Sequence, residues 1–198
     1  MKVYDISQEV FACAVYPGDP VPQKETLSSM ERGDLYNLTA FQMCAHNGTH
    51  IDAPFHFLQD GMTVEQIPLH MFVGNCYVAE HHGTMSGADA TALLRHINTE
   101  SSYALQRILI KGDTVITEAA ALAFANAGIR LLGVESQSVG PLDAPMAVHK
   151  ILLGADVVLL EGLRLQDIEP GTYLLNAAPL NLAGCDGAPC RAILISLP

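Results

Sequence analysis

Between residues 108 and 161 short runs of large apolar residues alternate with stretches of helical spacing, and this alternation constrains the fold more than any other feature. Ile108-Leu109-Ile110 and Ile129 to Glu135 read as apolar strands, and Val157-Val158-Leu159-Leu160 reads as a strand buried on both faces. Thr117 to Ala127, closed by Gly128, has helical periodicity, and a short helix begins near Asp143-Ala144-Pro145 with an acidic cap and stops at Gly154. Strand-helix-strand-helix-strand predicts α/β architecture with at least part of the sheet parallel. Earlier in the chain an opening strand precedes the turn cluster Tyr16-Pro17-Gly18-Asp19-Pro20. Leu35 to Ala45 and Phe72 to Glu80 read as further strands, and Gly87 to Ile97 as a helix. The strand-rich first third predicts added antiparallel strands, so the expected fold is a mixed, barrel-like β layer backed by a few helices. A length of 198 residues predicts one domain, 1–198.

Composition narrows the function classes. The chain is 49% hydrophobic, yet its longest apolar runs are too short to span a bilayer. An acid at position five, in Met1-Lys2-Val3-Tyr4-Asp5, interrupts what a secretory signal would need, so a cytoplasmic location is expected. A formal charge of -11 repels polyanions and speaks against nucleic-acid binding. Bound divalent cations would offset that charge locally, so a small anionic substrate stays open. Five scattered cysteines without a C-x-x-C pair suit free thiols in a reducing compartment.

Chemistry concentrates in Ala45-His46-Asn47-Gly48-Thr49-His50-Ile51-Asp52-Ala53-Pro54-Phe55-His56-Phe57. Each buried imidazole or carboxylate needs a polar partner, and a metal supplies one to several at once. Asn47-Gly48 favours a turn and Pro54 pushes Ala53 to an extended conformation, so the segment reads as turn plus strand rather than helix. On a strand His50 and Asp52 share a face, His56 joins them if the alternation persists, and the turn returns His46 beside them. Nitrogen and carboxylate donors suit zinc, manganese or iron(II).

A second group lies downstream. His149 falls early in the short helix, and Glu161 directly follows the apolar strand run, where a carboxylate is costly unless paired. A strand returning past the helix can bring the two together. A salt bridge to Lys150 or Arg164, or exposure at the strand end, is the plainer alternative for Glu161. His81-His82 reads as a solvated loop, Cys44 as a buried thiol, and His70 and His96 as surface residues.

With these residues in view the sequence resembles the cyclase family of metal-dependent hydrolases, whose members include arylformamidases and isatin hydrolases. The family pattern H-x-G-T-H-x-D-x-P-x-H-F is matched by His46, Gly48, Thr49, His50, Asp52, Pro54, His56 and Phe57. The likeness extends through Tyr4-Asp5-Ile6-Ser7, Tyr16-Pro17-Gly18-Asp19, Leu132-Gly133-Val134-Glu135 and the tail from Asp186 to Ile193. It implies a swivelling β/β/α fold and a homo-oligomer, dimer or tetramer. It further implies two divalent metals per subunit, zinc or manganese, one on His46, His50 and Asp52, with Asp52 bridging to a second on His149 and Glu161. His56 would be the acid/base, and Tyr16, Glu135, Asp186 and Gly187 would meet a small-molecule substrate. The implied reaction is hydrolysis of an N-formyl or cyclic amide by metal-activated water. Where the family commonly shows Asp-Thr-Pro-Ser this chain has Glu135-Ser136-Gln137-Ser138, and it contains no tryptophan. A serine hydrolase would need a G-x-S-x-G elbow, which does not occur. The remaining rival is a non-catalytic metal or small-molecule binding protein on the same scaffold.

Overall fold

The apolar runs read as strands form the middle of a curled sheet in the computed structural model, which describes residues 1–196. In chain order the elements are β1 (Lys2–Asp5), β2 (Gln23–Ser28), β3 (Leu38–Gln42), β4 (His50–Asp52), β5 (Val73–Glu80), β6 (Gly83–Met85), α1 (Gly87–Ser101), β7 (Arg107–Lys111), β8 (Thr114–Ile116), α2 (Glu118–Asn126), β9 (Leu131–Val134), α3 (Met146–Leu153), β10 (Val158–Glu161), β11 (Gly171–Asn176), β12 (Gly187–Pro189) and β13 (Ile193–Ser196). The main sheet has the order β1-β13-β11-β5-β7-β9-β10-β4-β12. Its centre, β5-β7-β9-β10, is parallel, each step crossing through a helix, and both flanks are antiparallel. The mixed sheet backed by three helices is the architecture expected from the sequence.

Side-chain alternation explains why the central strands read as unbroken apolar runs. Ile108, Ile110, Leu132 and Leu159 pack with Ala90, Ile97, Phe124 and Leu152 of the helices. Leu109, Leu131, Val158 and Leu160 point to the other face, into a core closed by Ile6, Ile51, Phe72, Leu175 and Leu194. The sheet curls over its own second face, so both sets of side chains are buried. Burying one such aliphatic or aromatic side chain contributes about 1.5–3 kcal/mol.

Several elements differ from the sequence reading. The strand expected over Leu35 to Ala45 is confined to β3, which pairs with β2 in a hairpin outside the main sheet. Polar turns cut it at both ends: Asp34 and Asn37 accept from the amides of Ser29 and Met30, and Asn47 accepts from the amide of Cys44. Helix α1 runs four residues past Ile97, to Ser101, and starts on a Ser86–Asp89 capping box. Helix α3 begins after Pro145 without a side-chain cap, so Asp143 is not its capping residue. Among the described residues no helix is long and apolar enough to cross a membrane, and all five cysteines are free.

Candidate active site

Strand β4 is only three residues long, but both of its neighbours bring in functional groups. His50 and Asp52 share one face while Ile51 packs into the core from the other. In antiparallel register β10 sets Glu161 opposite His50, and β12 sets Gly187 opposite Asp52. The turn before β4 passes through Gly48 at φ +69°, a left-handed conformation suited to glycine. It returns His46 so that its Nδ1 lies 2.9 Å from Asp52 Oδ1.

His56 reaches the cluster by another route than the extended alternation anticipated. Pro54, with its restricted φ, opens a short 3-10 turn over Pro54–His56, which breaks the period of two. The turn still carries the His56 ring onto His46, stacked with centroids 4.1 Å apart. From the first turn of α3, His149 places its Nε2 3.3 Å from Glu161 Oε1 and 3.5 Å from Asp52 Oδ2. His50 Nε2 lies 3.3 Å from Asp52 Oδ1 and 3.4 Å from Glu161 Oε2. All five residues expected as ligands therefore converge, and neither Lys150 nor Arg164 pairs with Glu161.

The donor arrangement fits divalent cations. His50 Nδ1 donates to the Gly48 carbonyl (3.1 Å) and His149 Nδ1 to the Pro145 carbonyl (2.8 Å), which leaves each Nε2 facing carboxylates. The ligand atoms of His46, His50 and Asp52 lie within 4.8 Å of one another, as do those of Asp52, His149 and Glu161, so Asp52 belongs to both groups. His46, His56 and Asp186 make a third such group. Asp52 is buried, and its Oδ2 has no hydrogen-bond partner, His149 lying at the limit of range. A cation between the two groups would satisfy that oxygen.

The electrostatics agree with this fit. Burial alone would depress the imidazoles, but carboxylates overturn it. Asp186 and Asp52 push His46 up to about 11, Asp52 and Glu161 push His50 up to about 9, and the same two push His149 up to about 10. Burial works against Asp52 ionising, yet His149, His46 and His50 hold it well below the usual carboxylate range. Each ring needs either a proton or a metal to face these oxygens, so metal would enter by displacing protons.

A cavity of about 230 Å³ opens over the cluster, lined by Tyr16, His46, His50, His56, Gln137 and His149, among others. Tyr16 reaches it while its hydroxyl donates to the Leu142 carbonyl. The other three residues expected at a substrate are placed differently. Glu135 does not line the cavity, because its carboxylate oxygens accept from the amides of Gly112 and Leu165, both at 2.7 Å, tying loops together. Gly187 supplies clearance, since a Cβ there would lie 2.7 Å from His46 Cε1. Asp186 binds histidines, at 2.8 Å from His46 Nε2 and 3.1 Å from His56 Nδ1. Sequence reasoning missed Asp19, Phe57, Gln137, Ser138 and Pro145 on the cavity wall. Their signal was positional only: each adjoins a turn or motif already recognised.

Comparison with known proteins agrees with the geometry. The cyclase family model matches residues 4–141. Kynurenine formamidase of Salinibacter ruber (strain DSM 13855 / M31) is 35% identical, covering 100% of this chain and 99% of its own. A structure titled as a potential metal-dependent hydrolase with cyclase activity has 30% identity and a TM-score of 0.82, covering 100% of this chain and 99% of that one. Isatin hydrolase A from Labrenzia aggregata shares the fold at a TM-score of 0.83 and 21% identity, over 99% of this chain and 94% of its own. The chain belongs to the cyclase family, and it is an amidohydrolase.

Proposed function

We propose that the chain hydrolyses an N-formyl or cyclic amide of a small molecule with two divalent cations, zinc or manganese, per subunit. The observation that carries this reading is Asp52, a buried carboxylate common to two ligand groups and left with one unpartnered oxygen. His46, His50 and Asp52 would hold one cation, and Asp52, His149 and Glu161 the other. Bound there, the cations supply Lewis acidity to a carbonyl oxygen and make a nearby water acidic. His56 serves as general acid/base: Asp186 takes its Nδ1–H, and its side chain lines the cavity. Phe57 and the buried chain around Ile51 and Ala53 keep bulk water from the floor of the site. The cavity is smaller than the about 300–1,000 Å³ typical of drug-sized ligand sites, which favours a compact substrate. The similarity to a kynurenine formamidase supports an arylformamide or a related cyclic amide.

Chelation should abolish turnover of formamides and cyclic imides, and zinc or manganese should restore it. His56→Ala should lower kcat by about 10²–10⁴-fold while the metal content, read by elemental analysis, stays the same. Activity that survives full demetallation would end this reading.

The same reading includes a cytoplasmic homo-oligomer. The β2–β3 hairpin stands apart from the main sheet with Leu27, Leu35, Tyr36, Leu38 and Phe41 exposed, Leu35 at 95%. An isolated two-stranded ribbon is marginal in water. These side chains offer on the order of 500 Å² per copy, a large share of the about 800 Å² that each side of a standard interface supplies. A second copy related by two-fold symmetry would bury the same patch twice. Light scattering should give a dimer or tetramer that Leu35→Asp shifts toward monomer; a monomeric parent protein at micromolar concentration refutes it.

A further inference from the structure

Asp186 is the one carboxylate of the cluster outside the two metal groups that share Asp52, and its geometry gives it a different task. It immediately precedes β12, and its carbonyl accepts from the amide of Ala53 at 2.9 Å, so its main chain is pinned beside the end of β4. One oxygen, Oδ2, meets two rings, His46 Nε2 at 2.8 Å and His56 Nδ1 at 3.1 Å. Those rings stack at 4.1 Å, and they fit so closely because the next residue, Gly187, has no side chain to displace His46.

The nitrogens involved carry the argument. His50 and His149 give Nδ1 to main-chain carbonyls and keep Nε2 for the carboxylates of the centre. His46 is reversed, with Nδ1 toward Asp52 and Nε2 toward Asp186. An imidazole that ligates through one nitrogen donates its other N–H to a partner that holds the ring. For His46 that partner is Asp186. For His56 the same oxygen takes the Nδ1–H, so Nε2 is the nitrogen left to exchange a proton with substrate.

We propose that Asp186 is a positioning residue shared by the metal centre and the acid/base: one carboxylate oxygen orients His46 to ligate through Nδ1 and His56 to work through Nε2. It contacts neither metal nor substrate. The inference rests on the hydrolase reading above, in which His46 is a ligand and His56 moves the proton. A residue of this kind couples the two halves of the reaction, because a tilt of one ring is passed to the other through a common anchor. Removing such a partner elsewhere in metal sites costs about 10–100-fold in affinity or activity.

The test is Asp186→Asn in the full-length metal-loaded enzyme, with Asp186→Glu as a second variant should the first fold poorly. For Asp186→Asn, kcat should fall about 10–100-fold with KM within about threefold, and the metal stoichiometry at saturating metal should stay unchanged. Asp186→Glu should recover part of kcat. In a His56→Ala background Asp186→Asn should remove less activity than it does in the parent enzyme, since only its hold on His46 remains. A raised KM with unchanged kcat would make Asp186 a substrate contact, and loss of one metal equivalent at saturation would make it a ligand; either overturns the proposal. So does a full additional loss in the His56→Ala background. Should His56→Ala itself leave kcat intact, the hydrolase mechanism fails first, and a metal Kd raised about 10–100-fold by Asp186→Asn still reports on its hold on His46.

Discussion

Arg107 and Asp52 are both charged, both buried in the main sheet, and handled in opposite ways. Arg107, on β7 and 5% exposed, meets no carboxylate: its Nε donates to the Met71 carbonyl at 3.0 Å, Nη1 to Asn75 at 3.4 Å and Nη2 to His70. Burial lowers its pKa, but each of its three nitrogens finds a carbonyl partner within the fold. Asp52, on β4 and 1% exposed, faces three imidazoles and keeps an oxygen without a partner. A buried charge whose partners are complete belongs to architecture. One left incomplete among further ligand atoms is waiting for a species from outside.

This contrast is breakable. The largest effect is expected at Asp52→Asn, which should lose activity below detection and lose the metal-induced rise in melting temperature expected of the parent protein. At metal concentrations near 100 times Kd that stabilisation is about 2.7 kcal/mol, a shift of several degrees. A variant that still melts higher with metal would break the comparison on the Asp52 side. Next is Arg107→Met, which strands carbonyls and should cost about 2–4 kcal/mol in urea unfolding while leaving kcat of the folded enzyme within twofold. A large loss of kcat in folded Arg107→Met would break it on the other side.

The smallest effect sharpens the rule by adding an exposed charge. Asp5 pairs with Arg191 at 2.8 Å, joining β1 to the segment before β13, and its side chain is 42% exposed. The Arg191 guanidinium chiefly holds its carboxyl below the ordinary value, with help from Ser7. A depressed folded pKa means stabilisation that is present above the unfolded value of about 3.9 and lost as pH falls through the folded one. Asp5→Asn should therefore cost under about 1 kcal/mol at pH 7 after solvent screening, with the difference in melting temperature closing near pH 2. A gap that widens in acid would reverse the sign.

The parts of this fold that the sequence reveals are those where one physical requirement dominates. β7, β9 and β10 must be apolar on both sides, so they stand out as runs, and the helices between them carry a clear period. The histidine cluster stands out because no apolar core wants it. β12 is three residues, Gly-Ala-Pro, and owes its strand geometry to pairing with β4 rather than to its own preference. β3 is shorter than the run from Leu35 to Ala45 suggests, and β2 carries no strand signal of its own, because side-chain turns at Asp34, Asn37 and Asn47 set the ends of the hairpin. Asp186 was legible as part of the site but not in its task, which depends on a ring 130 positions away. Glu135 misled for the converse reason: a carboxylate beside a motif can be spent on two main-chain amides.

The short strand β4 has one more consequence, for how the molecule comes to exist. Its residues pair with β10 and β12, both more than a hundred positions downstream, so a nascent or truncated stretch that holds His46 to His56 but ends before those strands lacks a formed centre. Closing loops of that length is slow, and the contacts that reward it come only at the end. Metal uptake during refolding should thus trail the appearance of the parallel sheet, and the rate of metal capture becomes a clock for the last stage of folding.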